Sequence, residues 1–207
     1  MTTLQGRLLL LPLALLLALP ASAQASFGAK AGLNTSFFSG DDAVDSDPRL
    51  GFVGGLTARY AVSPSLAVQA EALYSQKGDR FDNDLGFTED TRLDYIEVPA
   101  MLRLGVPLSP LLDAGVVVGG YVGFPVRSEV VVDGTLETDL DAATDYGALV
   151  GVDIGSGPVF LEGRYTLGLT DAIDFDPGLD VTPSLRNQVV SFTIGYRFGG
   201  GRPRYGR

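Results

Sequence analysis

The chain has 207 residues, with 25 Asp and Glu against 15 Lys and Arg, a formal net charge of −10, and neither cysteine nor histidine. Without cysteine there is no disulfide framework and no thiol chemistry. Without histidine the commonest general base and transition-metal ligand is missing, and the negative charge argues against nucleic acid as a partner.

Residues 1–23 form the first element. Arg7 precedes an apolar run, Leu8 to Leu19, which ends in Ala21-Ser22-Ala23. This is the layout of a secretory signal peptide cut before Gln24. The run is interrupted by Pro12 and is shorter than the ~20 residues that cross a bilayer as a helix. No later segment has 18 unbroken apolar residues, so helical spanning is not expected.

Eight segments then alternate between apolar and small or polar residues, as strands with two unlike faces do. The first, Phe27 to Ser36, sets Phe27, Ala29, Ala31 and Leu33 against Lys30, Gly32 and Asn34. The second, Leu50 to Val62, and the third, Leu66 to Lys77, repeat the pattern, with Arg59 and then Gln69, Glu71, Ser75 and Lys77 on the polar side. In the fourth, Leu93 to Val106, the polar side carries Tyr95, Glu97, Met101 and Arg103. The fifth runs from Leu111 to Val126, the sixth from Asp145 to Ile154 and the seventh from Val159 to Leu169. The last, Val190 to Phe198, is the clearest: Val190, Phe192, Ile194, Tyr196 and Phe198 alternate with Ser191, Thr193, Gly195 and Arg197.

The links between segments alternate as well. Ser63-Pro64-Ser65, Pro107 to Pro110 and Gly155-Ser156-Gly157-Pro158 are tight turns. The other four, Ser39–Arg49, Gly78–Arg92, Arg127–Thr144 and Thr170–Asn187, are long. Short turns on one side and long loops on the other are the pattern of bacterial outer-membrane barrels, with the turns in the periplasm.

Charge placement separates this reading from a soluble barrel, which keeps its apolar face inside. Twenty of the 25 acids lie in the four long links or at their edges, among them Asp94 and Asp145. The other five, Glu71, Glu97, Asp113, Asp153 and Glu162, share the polar face with Lys30, Arg59, Arg103, Arg164 and Arg197. The opposite face carries no charge in its central stretch, a rule that lipid imposes because a mid-bilayer charge costs ~2–4 kcal/mol. An eight-stranded lumen is just wide enough for its own side chains. These ten residues are therefore expected to form a lumen cluster of ion pairs that satisfy one another.

Phe27-Gly28-Ala29-Lys30-Ala31-Gly32-Leu33-Asn34, Leu93-Asp94-Tyr95-Ile96-Glu97-Val98-Pro99 with Leu102, Arg164 to Thr170, and Gly195-Tyr196-Arg197-Phe198 resemble segments of the PorT-like outer-membrane β-barrel family. The resemblance covers the mature chain and implies an outer-membrane barrel. The family's namesake is associated with a protein-secretion system. The tail Gly199–Arg207, with Arg202, Arg204 and Arg207, departs from barrels that end at their terminal aromatic.

Enzymatic readings have little support. Outer-membrane barrel enzymes such as lipid A deacylases and omptin-like proteases depend on histidine, and adjacent loop carboxylates such as Asp41-Asp42 read as solvated charge. No phosphate-binding loop is present, and no cofactor is expected. Asp79-Arg80-Phe81-Asp82-Asn83-Asp84 offers closely spaced oxygens without the glycine and terminal glutamate of an EF-hand loop. Weak, nonspecific Ca²⁺ or Mg²⁺ binding that bridges to lipopolysaccharide is expected there.

The sequence thus predicts an all-β, eight-stranded antiparallel up-and-down transmembrane barrel over residues 24–198, followed by a basic tail over 199–207. It is expected in the bacterial outer membrane, with a structural or scaffold role and contacts to lipid, lipopolysaccharide and envelope proteins. An accessory component of a secretion or transport machine is the alternative, and a narrow channel the third reading.

Overall fold

The computed structural model describes residues 25–39, 47–82, 88–132, 135–139, 142–170 and 186–198. The signal-peptide segment 1–23 and the basic tail 199–207 lie outside the described residues. Among the described residues there are nine strands: β1 (Ala25–Ser39), β2 (Asp47–Ala61), β3 (Leu66–Asp82), β4 (Thr88–Pro107), β5 (Leu112–Val132), β6 (Thr135–Asp139), β7 (Asp145–Ser156), β8 (Val159–Gly168) and β9 (Arg186–Phe198). Each strand pairs antiparallel with its neighbours, and the β4–β5 and β1–β9 ladders close an eight-stranded ring that leaves β6 as an appendage. Closure satisfies every strand edge within the ring, which a sheet in hydrocarbon requires.

Three tight turns gather at one end. Around Val62–Ser65 the Val62 and Ser63 amides both donate to Leu66 O, at 2.8 and 3.0 Å. Leu108 and Ser109 repeat this on Leu112 O, and the Ser109 hydroxyl accepts from the Leu112 amide. The third turn is Gly157-Pro158, where Gly157 has a φ of 61°. A left-handed glycine followed by the fixed φ of proline suits the type II′ hairpin, whose twist matches the strands.

Inside and outside are inverted relative to a soluble protein. Large apolar side chains stand exposed around the wall, including Leu33, Leu56, Leu102, Val118, Val152, Leu161 and Phe192, the last 69% exposed. Among the described residues, the buried apolar cluster consists of Met101, Val117, Tyr121 and Leu149. Lys30, Glu71, Lys77, Asp145, Asp153 and Arg164 are buried instead. Tyr60, Tyr196 and Phe198 sit at the short-turn ends of their strands, and Tyr74 and Tyr146 toward the opposite ends. Such an apolar band between aromatic rims suits a bilayer.

The ladders run further than the hydrophobic alternation suggested. Gly78–Arg92 and Arg127–Thr144 were expected as loops. Instead β3 continues to Asp82 against β4 from Thr88, and β5 continues to Val132 and pairs with β6. Beyond the lipid the apolar period is no longer needed, but the backbone ladder still forms. Gly78 makes the continuation feasible. Its φ of 118° is in the left-handed region, and a Cβ there would fall 1.9 Å from Thr91 O. At the same level Asp94 and Arg127 are paired across a β-bulge in the β4–β5 ladder. Tyr74 Oη donates to Asp94 Oδ2 at 2.6 Å.

Two outcomes follow. Phe192→Lys places a charge in the apolar band and should lower the stability of the barrel refolded in lipid vesicles by about 2–4 kcal/mol, read by denaturant titration. Gly78→Ala should strain the extension by about 1–3 kcal/mol. Hydrogen exchange should then show lost protection at residues 79–82 and 88–92, with the wall between Val116 and Tyr121 unchanged.

Candidate functional site

The ten charged residues expected in the lumen all come from inward positions of the strands, and they divide between three layers. The lowest, near the tight turns, joins Arg59 of β2, Arg103 of β4, Asp113 of β5, Asp153 of β7 and Arg197 of β9. Arg59 Nη2 reaches across the lumen to Asp153 Oδ2 at 3.1 Å. Arg103 Nε donates to both Asp153 oxygens, at 3.0 and 2.6 Å, while its Nη2 is shared between Asp153 and Asp113. Gly105 and Gly115 flank this guanidinium so closely that a Cβ on either would meet it, at 2.1 Å from Gly105 and 2.7 Å from Gly115.

Two cations and two anions alternate in the middle layer. Lys30 Nζ stands 2.9 Å from both Glu71 and Glu162, and Arg164 Nη2 stands 3.0 and 2.7 Å from the same two carboxylates. Each charge therefore has two opposite neighbours, and all four side chains are almost fully buried. Gln69 ties the two layers together. It accepts from Arg59 Nε and donates to Glu71 Oε1, both at 2.6 Å.

The upper layer is the part that sequence reasoning missed. Lys77 Nζ pairs with Glu97 at 2.6 Å and with Asp145 at 2.9 Å, under the rings of Tyr95 and Tyr121, whose centroids lie 5.1 and 4.6 Å away. Asn187 Nδ2 donates to Asp145 Oδ2 at 3.0 Å, and Arg49 donates to the Lys77 carbonyl. Glu97 thus belongs with Lys77 and not with the other nine. Lys77 stood on the polar face of its segment, a signal that was legible. Asp145 was assigned to a loop edge but lies fully buried as the first residue of β7, where Lys77 and Asn187 hold its carboxylate.

One expectation needs correction. The cluster was expected to satisfy itself, yet among the described residues no carboxylate lies within 4.0 Å of Arg197. Its guanidinium stacks 4.5 Å from the Phe160 ring, and its buried Nη2 has no hydrogen-bond partner. Phe160 lies over Gly195, where a Cβ would fall 2.2 Å from its ring.

Between the middle and upper layers, Lys30, Asn34, Ser75, Lys77, Arg164 and Thr193 border a void of about 10 Å³, the space of one water molecule. No group of three or more His, Cys, Asp or Glu side chains among the described residues is arranged to hold a metal ion. The oxygen cluster Asp79–Asp84 has its side chains outside the described residues.

Removing one member of a buried ion pair strands its partner, so Arg103→Ala should lower stability by about 3–5 kcal/mol. Urea unfolding of the protein in detergent micelles measures this, and an unchanged midpoint would contradict the pairing. Arg103→Lys should recover only part of the loss, since one ammonium cannot bridge Asp113 and Asp153 as a planar fork does.

Comparison with known proteins agrees with this architecture. The fold resembles that of Neisserial surface protein A (NspA), with 15% identity, coverage of 84% of this chain and 99% of that one, and a TM-score of 0.54. It also resembles Ail, the attachment invasion locus protein of Yersinia pestis, with 15% identity, the same coverage and a TM-score of 0.50. At this identity the likeness concerns the fold. No curated protein matches the sequence significantly. A family model described as outer membrane protein beta-barrel domain matches residues 21–174. With the closed ring, the apolar outer wall and the charged lumen, that match identifies the chain as a member of the outer membrane protein β-barrel family, resident in the bacterial outer membrane.

Proposed function

We propose that this barrel is a non-enzymatic structural and scaffold protein that meets its partners through its extracellular strand extensions and long acidic loops. The observation that carries the reading is the filled lumen. Three layers of charged side chains cross the lumen, and the void between the middle and upper layers is about 10 Å³, too small for a solute. A barrel of eight strands has no wider interior to offer, so its working surface is outside. The extensions of β3, β4 and β5, together with β6, supply a four-stranded surface beyond the lipid. The acids of the long loops keep that surface soluble and repel like-charged neighbours. Outer-membrane lipid, lipopolysaccharide and envelope proteins are the partners we propose, with weak Ca²⁺ or Mg²⁺ binding to the loop carboxylates as a bridge to lipopolysaccharide. The same reading takes residues 1–23 as a cleaved signal peptide and 199–207 as a periplasmic tail.

A second reading makes the protein an accessory part of a secretion or transport machine. What supports it is the resemblance of Leu93–Pro99 to the PorT-like family, whose namesake is associated with a protein-secretion system.

Extraction in mild detergent with affinity capture separates the two. A stoichiometric set of machine components would favour the accessory role, and envelope proteins without such a machine the scaffold role. Replacing residues 79–91 by a tight turn should release the captured partner while the barrel still folds. In planar bilayers the purified protein should show no single-channel steps. Regular steps would overturn the filled-lumen argument.

A further inference from the structure

The lowest lumen layer holds three guanidinium groups, Arg59, Arg103 and Arg197, against two carboxylates, Asp113 and Asp153, and so has one positive charge in excess. Arg103 and Arg59 take up Asp153, and Arg103 also takes up the near oxygen of Asp113. Arg197 stands beside them with Phe160 beneath it and Nη2 unpartnered. Gly155 leaves the space between Arg197 and the remaining Asp113 oxygen open: a methyl group on Gly155 would lie 3.2 Å from Arg197 Nη1 and 3.0 Å from Asp113 Oδ1. The layer opens toward the periplasm, for the side chains of Asp113 and Arg59 are 25% and 12% exposed while the middle layer is sealed.

We propose that this periplasmic mouth is a binding site for a single phosphate group, held by Arg197 with Arg59 nearby. A guanidinium whose Nη2 has no partner suits a tetrahedral oxyanion, which it can hold through charge-assisted hydrogen bonds. Stacking on Phe160 fixes the guanidinium plane, so little freedom is lost when the ligand arrives. The phosphate comes either from free inorganic phosphate or from the headgroup of an anionic phospholipid in the inner leaflet. Both carry the same chemistry to the rim.

The test uses the full mature barrel folded in zwitterionic detergent and titrated calorimetrically with inorganic phosphate at low ionic strength. Binding should be measurable, and Arg197→Gln should weaken it about 10- to 100-fold, the loss of one charge-assisted hydrogen-bonded contact. Because Arg197 pairs with no carboxylate, this variant should fold and unfold like the parent, unlike Arg103→Ala. Arg127→Gln, which removes a charge from the outer surface near the other rim, should leave binding unchanged. No heat with the parent protein, or equal binding by Arg197→Gln, would overturn the proposal. Repeating the titration in phosphatidylcholine nanodiscs with and without phosphatidylglycerol assigns the source: a phosphate response lost only with phosphatidylglycerol identifies the headgroup, and one kept in both identifies the free ion.

Discussion

Hydrocarbon neither hydrates a charge nor hydrogen-bonds a peptide group, and almost every feature of this molecule answers to that constraint. Backbone groups in the wall have to pair within the wall, so the sheet closes on itself through the β1–β9 and β4–β5 ladders. Side chains facing lipid have to be apolar, so Leu, Val, Ile and Phe stand outside in numbers that would be an aggregation hazard in water. Charged residues are left one place to go. The lumen they fill is narrow enough that each must find an opposite charge or an aromatic face.

The interior meets this demand through unequal side chains at facing positions. Arg103 lies flat because Gly105 and Gly115 leave the space beside it, Tyr121 spreads over Gly147, and Phe160 over Gly195. This is why a chain with 27 glycines packs without an apolar core of ordinary size. The alternating ring of Lys30, Glu71, Arg164 and Glu162 is the most complete part of the network, since each charge sees two of opposite sign. Arg197 is the exception among the described residues, its guanidinium stacked on Phe160.

The two rims differ in kind. At the short-turn end the strands are tied within two to four residues, and the lumen layer there has cations in excess. At the other end the ladders overrun the lipid, turn polar and, together with their connections, carry most of the chain's acids. The protein is thus electrically polar along its axis, with its variable surface on the acidic side. A filled lumen between two such rims concentrates recognition at the ends and leaves the wall to lipid.

Much of this was readable in the residues. Alternation in segments such as Val190–Phe198 determined the class of fold, because lipid on one side and a narrow lumen on the other leave a period-two pattern in the chain itself. The alternation of short and long links determined which end is which. The pattern also put Lys30, Glu71 and Arg164 on the inner face without saying which would touch, since Lys30 and Glu162 are 132 residues apart and meet only when the barrel closes. Strand ends were the weak point: beyond the bilayer no apolar period marks them, so the continuation through Gly78, the added strand β6 and the burial of Asp145 depended on backbone pairing alone. Sequence determined which face each charge occupies, because that is a local property of the strand. Tertiary structure decided the partners, and with them that Arg197 has no carboxylate in reach among the described residues, because register and closure set which side chains arrive at the same height.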